Sequence, residues 1–193
     1  MAALRQARHE VGPEDLYVFY VASRGTVDDC QYFLITSNVG SPSAACLRQD
    51  ALTQDSLKEL ISNLPVSKKL VVLDTYSAGQ LRDAIQVAML TQGMSDGTAM
   101  KVLSHAVGSM VLSGASSVPE ALESYQGHGL FTYVIVEGLI GAADADKDGF
   151  VKTMELADYV DNQVPEVAER VFKRKQYPIV SHTGQGFPIA KVK

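Results

Sequence analysis

Residues 144–155 read DADKDGFVKTME, a twelve-residue acidic loop that satisfies the pattern D-x-[DN]-x-[DN]-G-x5-E in full. In loops of this pattern, hard oxygen ligands surround a calcium ion, about six to eight of them. Asp144, Asp146 and Asp148 would supply carboxylates, Phe150 its backbone carbonyl and Glu155 a bidentate carboxylate, with Gly149 making the sharp turn. Val151 holds the apolar eighth position. Lys152 stands at the ninth, where a water-bridging acceptor is usual, and the chain has no second loop of this pattern to pair with the first. Two readings follow: Ca²⁺ binding, weak rather than tight, or an acidic turn whose carboxylates favour the N-terminus of the next helix.

A second stretch, KKLVVLDTYSAG at 68–79, places small and polar residues where an apolar run stops. Such a run reads as a fully buried strand of a parallel sheet, and in open α/β sheets ligands bind at the carboxyl ends of strands. Yet the turn holds no nucleophile with a base beside it. Asp74 suits a turn that its own side chain caps. Ser77, the histidines His9, His105, His128 and His182, and the cysteines Cys30 and Cys46 are the groups from which a hydrolase would have to draw. The two cysteines lack metal-ligand spacing and read as small buried hydrophobes.

The scaffold that must position these residues is read from composition first. The chain has 193 residues, 46% hydrophobic and 20% charged, which suits one globular domain spanning 1–193. A net charge of −5 argues against nucleic acid as the main partner, and Arg170, Lys173, Arg174 and Lys175 read as a solvated face. No apolar stretch approaches the ~18–20 residues of a membrane span, and the N-terminus lacks the apolar region of a signal peptide. With only two cysteines, a reducing cytoplasmic setting is expected.

Strands and helices alternate along the chain. Leu16–Ala22 is apolar on both faces and reads as an interior strand; CQYFLIT at 30–36 reads as a shorter hairpin partner or excursion. In TQDSLKELISNLP, Leu57, Leu60, Ile61 and Leu64 recur at helical spacing, with Pro65 at the end. Helices are expected at 80–92, across 99–107, at 129–141 and at 154–164, and strands at 69–73 and 109–117. The tail, with YPIVS and GFPIAKV, suits edge strands. This order predicts an α/β sandwich on a mainly parallel sheet.

Three strand ends then line up: ASRG at 22–25, DTYSAG at 74–79 and SGASS at 113–117. With GHGLFTY at 127–133, the acidic DADKDG turn, the EL-x-x-YV helix and QYP with GFP near the end, the order resembles the caspase-like cysteine peptidases, in particular the bacterial caspase-homologue and metacaspase branch. The resemblance covers nearly the whole chain from about residue 5. It implies a three-layer α/β/α sandwich. It also implies a general-base histidine after the first of these strands and a nucleophilic cysteine after the second. At those positions stand Arg24, preceded by Ser23 in place of glycine, and Tyr76, followed by Ala78 in place of serine. Arginine stays protonated and accepts no proton at neutral pH. Tyrosine, with a pKa near ~10, is a poor nucleophile. His128 matches a family position that is not catalytic.

The resemblance therefore implies a degenerate member, a pseudopeptidase that acts by binding protein as a regulatory or structural partner of an active peptidase or effector. The competing expectations are a cysteine- or serine-type peptidase with a displaced nucleophile and a Ca²⁺-responsive scaffold. Asp74 is retained at the position where relatives that cut after basic residues form an acidic pocket. A basic peptide segment is then one expected ligand, and an Asp74–Arg24 ion pair filling that pocket is the alternative. Family members begin with two further strand–helix units that this sequence lacks. That leaves strand 16–22 to be covered by a second copy, by a separate chain, or by Met1–Pro13 or the 30–36 segment folding over it.

Overall fold

The computed structural model describes residues 6–7, 9–28, 31–40, 44–76, 110–114, 122, 125–182 and 185–193. Its centre is a parallel pair, β1 (Leu16–Asp28) and β4 (Lys68–Tyr76). Both are runs of β-branched, aromatic and aliphatic residues, the composition that fits a pleated surface. Their ladder runs from Leu16 beside Lys68 to Arg24 beside Tyr76. β5 (Met110–Ser113) continues the parallel pairing on the far side of β4.

The outer strands run both ways. β2 (Gln31–Ile35) pairs antiparallel with Arg24–Asp28 of β1, and the two-residue β3 (Leu52–Thr53) pairs antiparallel with β2. At the other edge β7 (Ile179–Ser181) pairs antiparallel with β5. The sheet order is β3-β2-β1-β4-β5-β7. β1, β3, β4 and β5 point one way and β2 and β7 the other, so the sheet is mixed with one dominant direction. The first strand is longer than the sequence suggests: it runs through Ala22 to Asp28, because Thr26 and Val27 extend the β-favouring run and the 31–35 segment supplies a hairpin ladder. Arg24 is accordingly within a strand, at the point where one neighbour gives way to another, and not in a loop.

Helices cover both faces. On one, Leu57 and Ile61 of α2 (Gln54–Ser62) bury against Leu34, Val71 and Leu73. Thr53 caps that helix, its hydroxyl accepting from the Ser56 amide at 3.1 Å. A short α1 (Ala44–Asp50) precedes it. On the other face, α3 (Leu130–Glu137) and α4 (Thr153–Phe172) pack on Leu70, Val72, Met110 and Leu112. Alternate residues of β4 thus feed two separate cores, the reason its sequence is apolar throughout.

Two local features depart from the simple periodic reading. α3 passes into a π-turn at Gly138–Ala142; a Cβ on Gly138 would lie 2.7 Å from Leu156 Cδ1, so only glycine lets the helices approach this closely. α4 does not end at Val164 but runs on through Pro165. Val164, Val167 and Ala168 continue its buried stripe, and that burial outweighs the one backbone hydrogen bond a proline forgoes. The tail forms a separate two-stranded sheet, in which β8 (Pro188–Lys191) pairs antiparallel with β6 (Phe150–Lys152). The helices expected at 80–92 and 99–107, and most of the strand end at 113–117, lie outside the described residues. No described helix is long and apolar enough to cross a membrane.

Candidate functional site

The carboxyl end of β4, and the part of β1 where its ladder to β4 ends and its ladder to β2 begins, border a cavity of about 520 Å³. β1 contributes Ala22, Ser23 and Arg24; β4 contributes Asp74; the turn after β2 contributes Thr36 and Ser37; residues 128–132 and Gln176 close the far side. The parallel ladder decides which residues meet here. Because Leu16 and Lys68 start in register, Ala22 comes level with Asp74 and Arg24 with Tyr76.

Asp74 is held by a short relay. The Thr132 hydroxyl donates to Asp74 Oδ2, and the Tyr20 hydroxyl lies 2.8 Å from Thr132 Oγ1. A threonine hydroxyl has one proton. With that proton given to Asp74, Tyr20 must donate to Thr132, so both hydroxyls point their protons toward the carboxylate. Thr132 lies in the first turn of α3, placed by the loop before it. There Tyr125 and His128 exchange backbone hydrogen bonds of 2.8 and 2.9 Å across Gln126 and Gly127, which take φ of 50° and 83°. His128 is exposed at the cavity rim.

Behind the cavity wall, Gln176 is 4% exposed. Its Nε2 donates to the Gly114 carbonyl at 3.1 Å, while its Oε1 is sealed from solvent with no hydrogen-bond partner among the described residues. Gly114 is a glycine of necessity: a Cβ there would meet the Phe131 ring at 2.7 Å. The site therefore presents an oriented carboxylate, several hydroxyls and an exposed guanidinium. Ser23, the hydroxyl nearest the strand end, already donates to the Ile35 carbonyl at 2.5 Å.

Other groups that catalysis would need are placed elsewhere. Cys46 is partly buried in α1, and His9 and His182 are exposed; none of the three lines the cavity. Cys30, Ser77 and His105 lie outside the described residues.

The acidic loop is a separate site. Carboxylate oxygens of Asp144, Asp146 and Asp148 lie within 4.8 Å of one another, as cation ligation requires. Gly149, at φ 86°, makes the turn, and its amide donates to Asp144 Oδ2 at 3.1 Å. Asp144 Oδ1 is buried and has no partner among the described residues. Against a full ligand set, Glu155 is already occupied: Oε1 accepts from the Ala145 amide at 3.2 Å and Oε2 from the Lys152 amide at 2.9 Å. Lys152 Nζ lies 2.7 Å from Asp146 Oδ2 and 2.5 Å from Asp148 Oδ2. These bonds to Asp146 and Asp148 push the lysine pKa up, and the bond to Lys152 holds the Asp146 carboxyl below its ordinary value. The Asp residues fit calcium; the ammonium holds two of them.

Two placements had no sequence signal. Thr132 sits in a run of apolar residues, GLFTYVIV, and nothing in that run marks it as a partner of Asp74. The strand that pairs with the acidic loop is β8, which takes the place a second loop would fill: Val151, fully buried, stands opposite Ala190.

The sequence matches no family model, and no curated protein matches it.

Proposed function

We propose that this chain is a catalytically inactive, caspase-like domain of the reducing cytoplasm. It acts by binding protein, as a regulatory or structural partner of an active peptidase or effector. One observation carries the reading: Arg24, on the cavity wall within β1, stands in register with Tyr76, the last residue of β4. On the resemblance, these are the positions of the base and the nucleophile. A guanidinium neither accepts a proton nor activates a phenol, so the pair has no route to a covalent acyl intermediate. The three-layer arrangement and the parallel core strands support the caspase-like reading without requiring it.

What remains is recognition. Asp74, oriented by Thr132, offers a carboxylate in a cavity large enough for a long side chain. A guanidinium or ammonium is the natural complement, so a basic side chain of a peptide segment is gripped and not cut. Purified protein incubated with arginyl and aspartyl peptide substrates should show hydrolysis no faster than buffer, and an activity-based thiol reagent should label no cysteine stoichiometrically. Turnover that persists through repurification and is lost with a substitution in this chain would establish the displaced-nucleophile peptidase instead.

A second reading applies to the acidic loop. The buried, unpartnered Asp144 Oδ1 supports a Ca²⁺ site made by Asp144, Asp146 and Asp148. Phe150 and Glu155 would complete it once Glu155 gives up its backbone amides. Calcium must then displace Lys152, which makes binding weak and its effect one of local stabilisation.

A further inference from the structure

β1 is thirteen residues long, but on the side away from β4 it pairs only from Arg24 to Asp28. Among the described residues, no strand pairs with Leu16–Ser23 on that side. The 31–35 strand, one candidate to cover it, is spent on the later part of β1 and turns away after Ile35. On one face of the same stretch Val18 is 51% and Tyr20 48% exposed. Leu16–Ser23 contains no proline and no charge, the devices that usually guard an edge.

We propose that this edge pairs with the same edge of a second copy, antiparallel, about a twofold axis close to Phe19. The distribution of charge along one strand selects the occupant. Exposed Glu14 and Asp15 lead into β1 at one end of the slot, and exposed Arg24 stands at the other. In an antiparallel copy Asp15 comes level with Ser23, next to Arg24, at both ends at once, while Ile35 holds the position opposite Arg24 itself. A parallel copy would place like charge beside like charge and leave an open edge. Twofold pairing uses one patch twice and closes.

The apolar pattern agrees with the same register. With Phe19 opposite the second copy's Phe19, Val18 opposes the second copy's Tyr20 on one face of the sheet. This is an aromatic and β-branched cross-strand pair, made twice. The end of β2 at Ile35 limits the slot to Leu16–Ser23, and with Phe19 at the axis the overlap within it is the seven residues Leu16–Ala22. The inference rests on the sheet edge alone and holds whether or not the cavity grips a basic side chain.

Sedimentation equilibrium of the full chain across a concentration series tests it. The expected result is a monomer–dimer equilibrium. Val18→Lys, at an exposed position, should weaken the dimer by at least about tenfold while circular dichroism stays unchanged, because the twofold counts each lost contact twice. Arg24→Glu should weaken it at low salt, and adding Glu14→Lys with Asp15→Lys should restore it. A monomer at every concentration overturns the proposal. So does a dimer indifferent to both Val18→Lys and Arg24→Glu, since its interface would lie elsewhere.

Discussion

Arg24 on β1 stands level with Tyr76 on β4, the last pair of a parallel ladder that begins with Leu16 and Lys68. A ladder of that length leaves no freedom of register, because a slip by one residue would turn Val71 and Leu73 out of their core. The neighbourhood of the two residues is therefore a property of the whole sheet. Placing Arg24→His and Tyr76→Cys together should yield a thiol beside an imidazole. That environment lowers a thiol pKa from about 8.5 and raises its reactivity at neutral pH. Alkylation by iodoacetamide, followed by mass spectrometry, should then label residue 76 faster than Cys46, and Tyr76→Cys alone should not show that advantage. Equal rates in the single and double variants would mean the two side chains do not meet.

Lys152 bridges Asp146 and Asp148 with a charge that a calcium ion would replace. Lys152→Ala should therefore strengthen Ca²⁺ binding measured by calorimetry, and Asp144→Ala in the same background should abolish it. Calcium at one hundred times Kd stabilises by about 2.7 kcal/mol. In a chain of this size each ~1 kcal/mol moves Tm by about 2–4 °C, so the shift is readable. The ion pair also has a pH signature. Asp146 is held below its ordinary value of 3.8 by Lys152, so its contribution is present above that value and fades as pH falls through the lower, folded-state one. If neither the native chain nor Lys152→Ala responds to millimolar calcium, the loop is a turn stabilised by its own lysine.

Gly114 lies where β5 meets the cavity wall, with the Phe131 ring 2.7 Å from the place of a Cβ. Phe131 and Gly114 are both buried, so the ring has little room to retreat. Gly114→Ala should cost roughly 1–3 kcal/mol by overpacking, read as a fall in Tm or denaturation midpoint. The push passes along α3 to Thr132, one residue on from Phe131, and should weaken peptide binding as well. An unchanged Tm would show that this wall is looser than its distances imply.

The sheet was legible where burial is two-sided. Leu70–Leu73 are apolar at every position and buried on both faces, whereas Leu16–Ala22, equally apolar, leaves Val18 and Tyr20 about half exposed, so its sequence reads more interior than the strand is. The α4 boundary was not legible, since Pro165 is a local stop signal and the stripe through Val167 and Ala168 is a tertiary reason to continue. At the candidate site, the position of Asp74 was readable because a change from apolar to polar and small residues marks the end of β4, whereas Arg24 was read at a strand end and lies within β1, which continues to Asp28. Tyr20 and Thr132 were not readable. Their contact with Asp74 depends on how the helix after Gly129 sits across the sheet, a distance of 112 residues between Tyr20 and Thr132 that no local pattern encodes. In the acidic loop the clustering of Asp144, Asp146 and Asp148 followed from spacing alone, whereas the geometry that ties Lys152 to two of them required the folded turn.

One time course reads both binding and the absence of cutting. A fluorescein-labelled arginyl peptide is mixed with the protein and its anisotropy followed for hours, beside an aspartyl peptide of equal length. Anisotropy should rise with the arginyl peptide only, hold a flat plateau, and require at least about tenfold more protein after Asp74→Asn, since a charge-assisted hydrogen bond is worth roughly 1.5–3 kcal/mol. A plateau that decays toward the value of a shorter fragment would mean the chain is a peptidase. No rise, or a rise indifferent to Asp74→Asn, would mean the cavity does not recognise a basic side chain.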